Sequence, residues 1–277
     1  MWDTLILNPM INTLLWIYSI LFENFGLAII AFTILVRLIT FPLTAQQIKS
    51  TQKMQDLQKS KKWQDMQKKF KDDKEKLSQE QMKLYKEEGV SPFGSCLPTL
   101  IQFPIIIGLY QAIIRSLAVT PIQLLDLSKH IYPFINASAL IPLNQEFLWM
   151  NLSMPEKDWG LTIAGFGIPM LAIIVVITSY LQTKLMTPPT ATPDQGAQMG
   201  RAMNLYMPLF MGYLAYTFSS GLALYFVASN LVGILQYGLM GRLDWRNLMP
   251  ESLMNLLPGK KEVEEQEKKP AKKKTSK

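Results

Sequence analysis

What most limits the fold of this chain is a series of apolar runs, each near the length that crosses a bilayer, set between segments dense in charge. A helix of about 20 apolar residues spans the hydrocarbon core. Such runs occupy residues 26–44, 93–117, 161–185, 203–218 and 221–240. Charge is scarce as a result: of 277 residues, 49% are hydrophobic and 18% charged, against about 25% charged in an ordinary soluble domain. The pattern predicts an all-α integral membrane protein with five transmembrane helices. One run carries a charge well inside it, Arg37.

The remaining segments predict appendages. Residues 1–25 interleave Trp2, Leu5, Leu14, Trp16 and Tyr18 with Asp3, Asn8, Pro9 and Asn12. Their apolar run is too short to span, so an amphipathic helix lying in the interface is expected. Met1-Trp2-Asp3 has no basic n-region and no small-residue cleavage site follows, so no removable signal peptide is expected. Residues 45–91 are rich in Lys, Gln, Asp and Glu, and Trp63, Met66 and Phe70 recur as one helix face. Ser78 with Gln81 reads as a capping box and Gly89 as a C-cap. Two polar helices in a cytosolic hairpin are expected. Residues 118–160 form a proline-broken loop, apolar enough to rest on the membrane surface. Residues 186–202 are a linker, and residues 241–277 a basic tail whose Lys/Glu end is disordered.

Lysine and arginine placement sets the orientation. The hairpin carries twelve lysines between Lys49 and Lys86, whereas residues 118–160 hold only Lys129 and Lys157. The hairpin, the 186–202 linker and the tail therefore face the cytosol, and the N-terminus lies outside. An odd number of spans requires the same arrangement. The expected location is the plasma membrane, crossed several times.

Arginine at the centre of a spanning helix costs a few kcal/mol or more, and such residues face a bundle interior or a wet cavity. Thr33, Arg37, Thr40 and Thr44 share one stripe at i, i+4, i+7 and i+11. Gln102 offers a polar group on the second run, Thr178 and Gln182 on the third, and Tyr225, Ser229 and Gln236 with Gly233 on the fifth. Threonine, serine and glutamine also join membrane helices to one another, so singly they say little. Arg37 says more, because no acidic residue occurs in any run. A cation without a fixed partner calls for water or a passing anion, which describes a hydrophilic groove.

Other chemistry finds little support. The single Cys96 and single His130 make a metal site very unfavourable, and no cofactor is expected. There is no phosphate-binding glycine loop and no serine nucleophile elbow. His130 has no obvious partner and reads as a plain loop residue, Cys96 as a packing residue, and Arg115 as a side chain reaching the headgroups. A lipid-modifying enzyme would need a nucleophile and base that are not visible. A small-solute or ion permease is the competing class; the lack of an inverted repeat and of an intramembrane carboxylate argues against it.

Three motifs resemble the YidC/Oxa/Alb membrane protein insertases. They are Gly26-Leu27-Ala28-Ile29-Ile30 leading to Leu35-Val36-Arg37-Leu38 and Pro42, then Gly94-Ser95-Cys96-Leu97-Pro98 with Gln102 and Pro104, then Ser220-Gly221-Leu222-Ala223-Leu224-Tyr225 with Ser229, Asn230 and Gln236. The resemblance implies five helices around a groove open to cytosol and lipid and closed outside. It implies that Arg37 is the groove arginine, that Gln102 and Gln182 line the groove, and that Phe226 is a substrate contact. The large extracytoplasmic domain of some bacterial members is not expected. The implied activity is that of an insertase and chaperone, not an enzyme, whose partners are nascent membrane proteins and lipid. A Sec-type translocon, and the ribosome through the basic tail, are further candidate partners; DNA is not.

Overall fold

The computed structural model describes residues 1–70, 73–90, 97–117, 120–133, 135, 142–159, 161–163, 166–186 and 195–241. Cys96, the middle of the 186–202 linker and the tail beyond Gly241 lie outside the described residues.

The chain is mostly helical. A wide π-type turn over Asp3–Leu7 runs into α1 (Asn8–Ile20). Leu7, Ile11, Leu14, Leu15 and Tyr18 of this segment are buried, while Trp2, Leu5, Trp16 and Ile20 are exposed. The apolar stripe packs against α2 (Phe25–Ile39) and α6 (Leu97–Ser116). Between α1 and α2 the backbone turns through Phe22 and Glu23, both in the left-handed region with φ of 54° and 55°. Asn24 then caps α2, its side-chain oxygen accepting from Leu27 N–H at 3.0 Å.

After α2 the chain bends at Thr40 and continues as α3 (Phe41–Lys59), α4 (Lys61–Lys69) and α5 (Lys74–Glu87). The expected pair of polar helices is thus three. Its own small core is Leu57, Trp63, Leu84 and Val90, with Met54, Met66 and Tyr85 packed on it. Asp73 starts α5, accepting from Lys76 N–H at 3.1 Å. That hydrogen bond and the Lys76 ammonium hold the Asp73 carboxyl below the usual carboxylate range. Ser78 therefore sits inside α5 and is not the cap that its spacing suggested: an aspartate five residues earlier competes better for the free amides. Gly89 does end α5, with φ of 64°. Its N–H reaches Lys86 O and Val90 N–H reaches Tyr85 O at 2.9 Å, the paired bonds of a Schellman turn.

The segment expected as a loop, residues 118–160, holds regular elements among its described residues. It contains α7 (Pro121–His130), a hairpin of β1 (Glu146–Phe147) and β2 (Met150–Asn151), and a single turn α8 (Glu156–Trp159). A second hairpin, β3 (Leu161–Ile163) with β4 (Phe166–Ile168), follows. The third apolar helix, α9 (Met170–Met186), consequently begins at Met170 and not near 161. The β-branched and glycine residues around it, followed by Pro169, favour extended pairing over helix. Two β-hairpins also depart from the all-α expectation. α10 (Gln195–Thr217) and α11 (Ser220–Leu239) complete the body. α9 packs along α10 and α11, and α11 along α2.

Among the described residues, α11 alone is long and apolar enough to cross a membrane. The α2–α3 pair passes the same test as one unit bent by 62°. Phe103–Ser116 within α6 and Met170–Met186 are apolar but shorter.

Candidate functional site

The polar residues that the sequence singles out converge on α11. Its face carries Ser229, Gly233 and Gln236 at i, i+4 and i+7, pointing toward α2 and α9. Arg37, half-buried near the end of α2, donates to Ser229 Oγ from Nη2 at 2.6 Å and from Nε at 3.1 Å. A hydroxyl that accepts twice from one guanidinium leaves most of its N–H groups unspent. None of the ion pairs among the described residues includes Arg37. Two turns further along α11, Gln236 Nε2 donates to the main-chain carbonyl of Arg37 at 3.0 Å. Gln236 is buried, and its Oε1 has no hydrogen-bond partner among the described residues.

Gly233 makes room for a third side chain. A β-carbon there would stand 2.7 Å from Gln182 Nε2 and 3.6 Å from Arg37 Nη2. Gln182 of α9 and Arg37 of α2 thus meet over the bare backbone of α11. Tyr225, one turn before Ser229, is buried and within electrostatic reach of Arg37. Three helices together supply a guanidinium, two amides, a hydroxyl and a phenol around one spot.

The remaining expected residues fall nearby in other roles. Thr33 is buried and bonds Ile29 O at 2.7 Å, and Thr40 bonds Val36 O at 2.8 Å. Both hydroxyls serve their own helix. Thr178 bonds Ile174 O at 2.8 Å and accepts from Asn230 Nδ2 at 3.1 Å. Phe226 lies in the main apolar core, its ring 5.9 Å from that of Tyr225. Gln102 is on α6, its side chain outside the described residues. Sequence reasoning named Asn230 only as a motif residue and missed Ser179; the two bond at 2.8 Å and lock α11 to α9. The available signal was an amide stranded in an apolar helix.

Beyond the α2 end of α11 the packing is tight. Gly221, in the first turn of α11, has Ile113 Cγ2, Leu152 O and Ile29 Cδ1 within 3.3 Å of where a β-carbon would be. Gly221 N–H donates to Leu152 O at 3.0 Å, and Ser220 N–H to Met154 O at 2.9 Å. Leu152 is fully buried. The buried Glu156 accepts from Leu171 N–H at 2.6 Å and Ala172 N–H at 2.9 Å, closing the N-terminus of α9 with a carboxylate. His130 is not a plain loop residue: Nδ1 meets Asn8 Oδ1 at 2.8 Å and Nε2 meets Arg115 Nη1 at 2.7 Å. Arginine only donates, so Nε2 accepts and the ring proton is assigned to Nδ1. Arg115 is partly exposed and also stands 3.9 Å from the carboxylates of Asp3 and Asp126.

Comparison with known proteins identifies the family. Residues 16–245 match the family described as 60Kd inner membrane protein. The chain is 32% identical over 240 residues to the membrane protein insertase YidC of Oceanobacillus iheyensis, covering 85% of this chain and 81% of that one. It is 35% identical over 238 residues to the membrane protein insertase MisCA of Bacillus subtilis, covering 85% and 77%. The YidC insertase of Haemophilus influenzae is 36% identical over 242 residues, but those cover 87% of this chain and 37% of that one. A solved structure described as an active YidC insertase with its first transmembrane domain resolved superposes with a TM-score of 0.52 at 27% identity. The match covers 80% of this chain and spans 43% of that one.

Proposed function

This chain belongs to the 60Kd inner membrane protein family, and from that premise we propose that it is a membrane protein insertase working through the polar cluster around Arg37. The single observation that carries the reading is the seat of Arg37: a guanidinium inside an apolar body, held by a neutral hydroxyl, with no carboxylate paired to it among the described residues.

In this reading five helices (α2, α6, α9, α10 and α11) span the plasma membrane around a groove open to cytosol and lipid. A polar tail of a nascent membrane protein cannot cross hydrocarbon cheaply. Water drawn part-way in by Arg37, Gln182, Tyr225, Ser229 and Gln236 shortens the dry path, and the unpartnered Oε1 of Gln236 suits that wet setting. Arg37 attracts acidic residues of the tail; at 4 Å such a pair is worth about 4 kcal/mol at an effective dielectric of about 20. The apolar segment then leaves sideways, driven by burial at roughly 25 cal/mol per Å² of apolar area. No covalent step is required. Thr33, Thr40 and Thr178 shape the wall, Phe226 backs it, and Gln102 completes it from α6. The Lys-rich α3–α5 unit receives substrates, the ribosome and a Sec-type translocon being further partners.

The test is crosslinking from a photoreactive residue at position 37 or 226 to a stalled nascent membrane protein, with insertion measured in reconstituted vesicles. Arg37→Ala should reduce insertion of substrates with acidic tails by roughly tenfold or more, a loss on the order of 1.4 kcal/mol. Unchanged insertion of every acidic-tail substrate would remove the electrostatic part of the mechanism.

A further inference from the structure

The joint between α2 and α3 sits beside the proposed groove, and its hydrogen bonding is unusual. α2 ends at Ile39, α3 begins at Phe41, and the two are bent by 62°. Pro42 has no N–H, so the ladder cannot run unbroken through the joint. The carbonyl that Pro42 leaves without an i+4 donor is that of Leu38; one residue earlier, Gln236 Nε2 bonds the main-chain carbonyl of Arg37 from another helix at 3.0 Å. Thr40 Oγ1 reaches the same carbonyl at 3.4 Å. The other end of Arg37, its guanidinium, is held by Ser229, seven residues earlier on the same face of α11. One helix therefore grips one residue at both head and backbone. Gln236 is 5% exposed, and its Nε2 is committed to the joint.

We propose that Gln236 is a positioning residue that couples the angle of the cytosolic α3–α5 unit to the seat of Arg37. The inference rests on the groove reading of Arg37, but its structural half stands apart from it. α3 leads straight from the joint to the small core around Trp63. Swinging that unit about Thr40 pulls the Arg37 carbonyl away from Gln236 and tilts the guanidinium off Ser229. Holding the unit still restores both bonds. Whatever docks on the cytosolic unit is thereby felt at the charge inside the membrane, through a chain of contacts with two arrangements.

The experiment places spin labels at Lys68, exposed on α4, and at Leu235, exposed on α11, in the full chain with Cys96→Ser, in lipid nanodiscs. Gln236→Met keeps the length and removes both amide groups. It should broaden or shift the distance distribution and lower insertion of an acidic-tail substrate by roughly fivefold or more. Arg37→Ala keeps the carbonyl, so the distance distribution should remain as in the parent. Pro42→Ala restores an N–H at the joint and should itself move the distance, which serves if Gln236→Met does not fold. An unchanged distribution in folded Gln236→Met overturns the coupling, whatever Pro42→Ala does, and if Gln236→Met does not fold, an unchanged distribution in Pro42→Ala overturns it. The groove reading fails separately, if Arg37→Ala inserts acidic-tail substrates as well as the parent.

Discussion

At the scale of single residues, the cluster works because its smallest member is a glycine. Gly233 lets the Gln182 amide and the Arg37 guanidinium share the space over α11. A β-carbon 2.7 Å from Gln182 Nε2 must push that amide aside, and a branched side chain must displace the guanidinium as well. Gly233→Val should therefore cost about 1–3 kcal/mol of stability, the usual penalty of overpacking, read by thermal unfolding in detergent. Gly233→Ala should cost less, because the end of a glutamine side chain yields easily. Equal stability of Gly233→Val and the parent would show that the three helices are looser here than described. The convergence of Arg37, Ser229 and Gln236 was legible in the sequence, since helical spacing puts 229, 233 and 236 on one face. Their division of labour was not. Spacing reports a face; it does not tell which atom of Arg37 lies at which height, so guanidinium and carbonyl could not be assigned to different partners.

At the scale of elements, the end of α5 was read well, while its start and the elements within residues 118–160 were not. Gly89 ends α5 as its backbone freedom predicts. Ser78 misled, because the cap is Asp73. The residues around β3 and β4 were read as helix because they are apolar; the two short strands pair instead. The hidden organiser of that region is Glu156, which reaches fifteen residues ahead to the first amides of α9. No periodicity marks such a residue, because it belongs to one element and caps another. Glu156→Ala should leave two buried donors unmatched and destabilise the protein by about 2–4 kcal/mol, with Glu156→Gln milder because it keeps one acceptor. Thermal unfolding measures both, and protease sensitivity of residues 142–159 should rise in step. Full stability of Glu156→Ala would mean that α9 finds another cap.

At the scale of the whole molecule, the charge distribution makes a statement about sidedness. The twelve lysines between Lys49 and Lys86 sit on one appendage, and the segment with α7 and the β1–β2 hairpin carries few. On the proposed orientation, with Cys96→Ser as background, Lys68→Cys should react with a membrane-impermeant maleimide only in inverted vesicles. Lys129→Cys should react only in right-side-out ones. The reverse pattern would turn the molecule over and place its polar cluster toward the wrong compartment. The same sidedness gives meaning to the crowded first turn of α11. Gly221 is hemmed in by Ile113, Leu152 and Ile29, and the strap from Leu152 to Glu156 is bonded across it. A conduit open at both faces would short-circuit the membrane whenever it stood idle. On the proposed orientation, a body stoppered at this turn can leave its cytosolic entrance permanently unlatched, with no plug or gating cycle, while the cell's proton-motive force is retained.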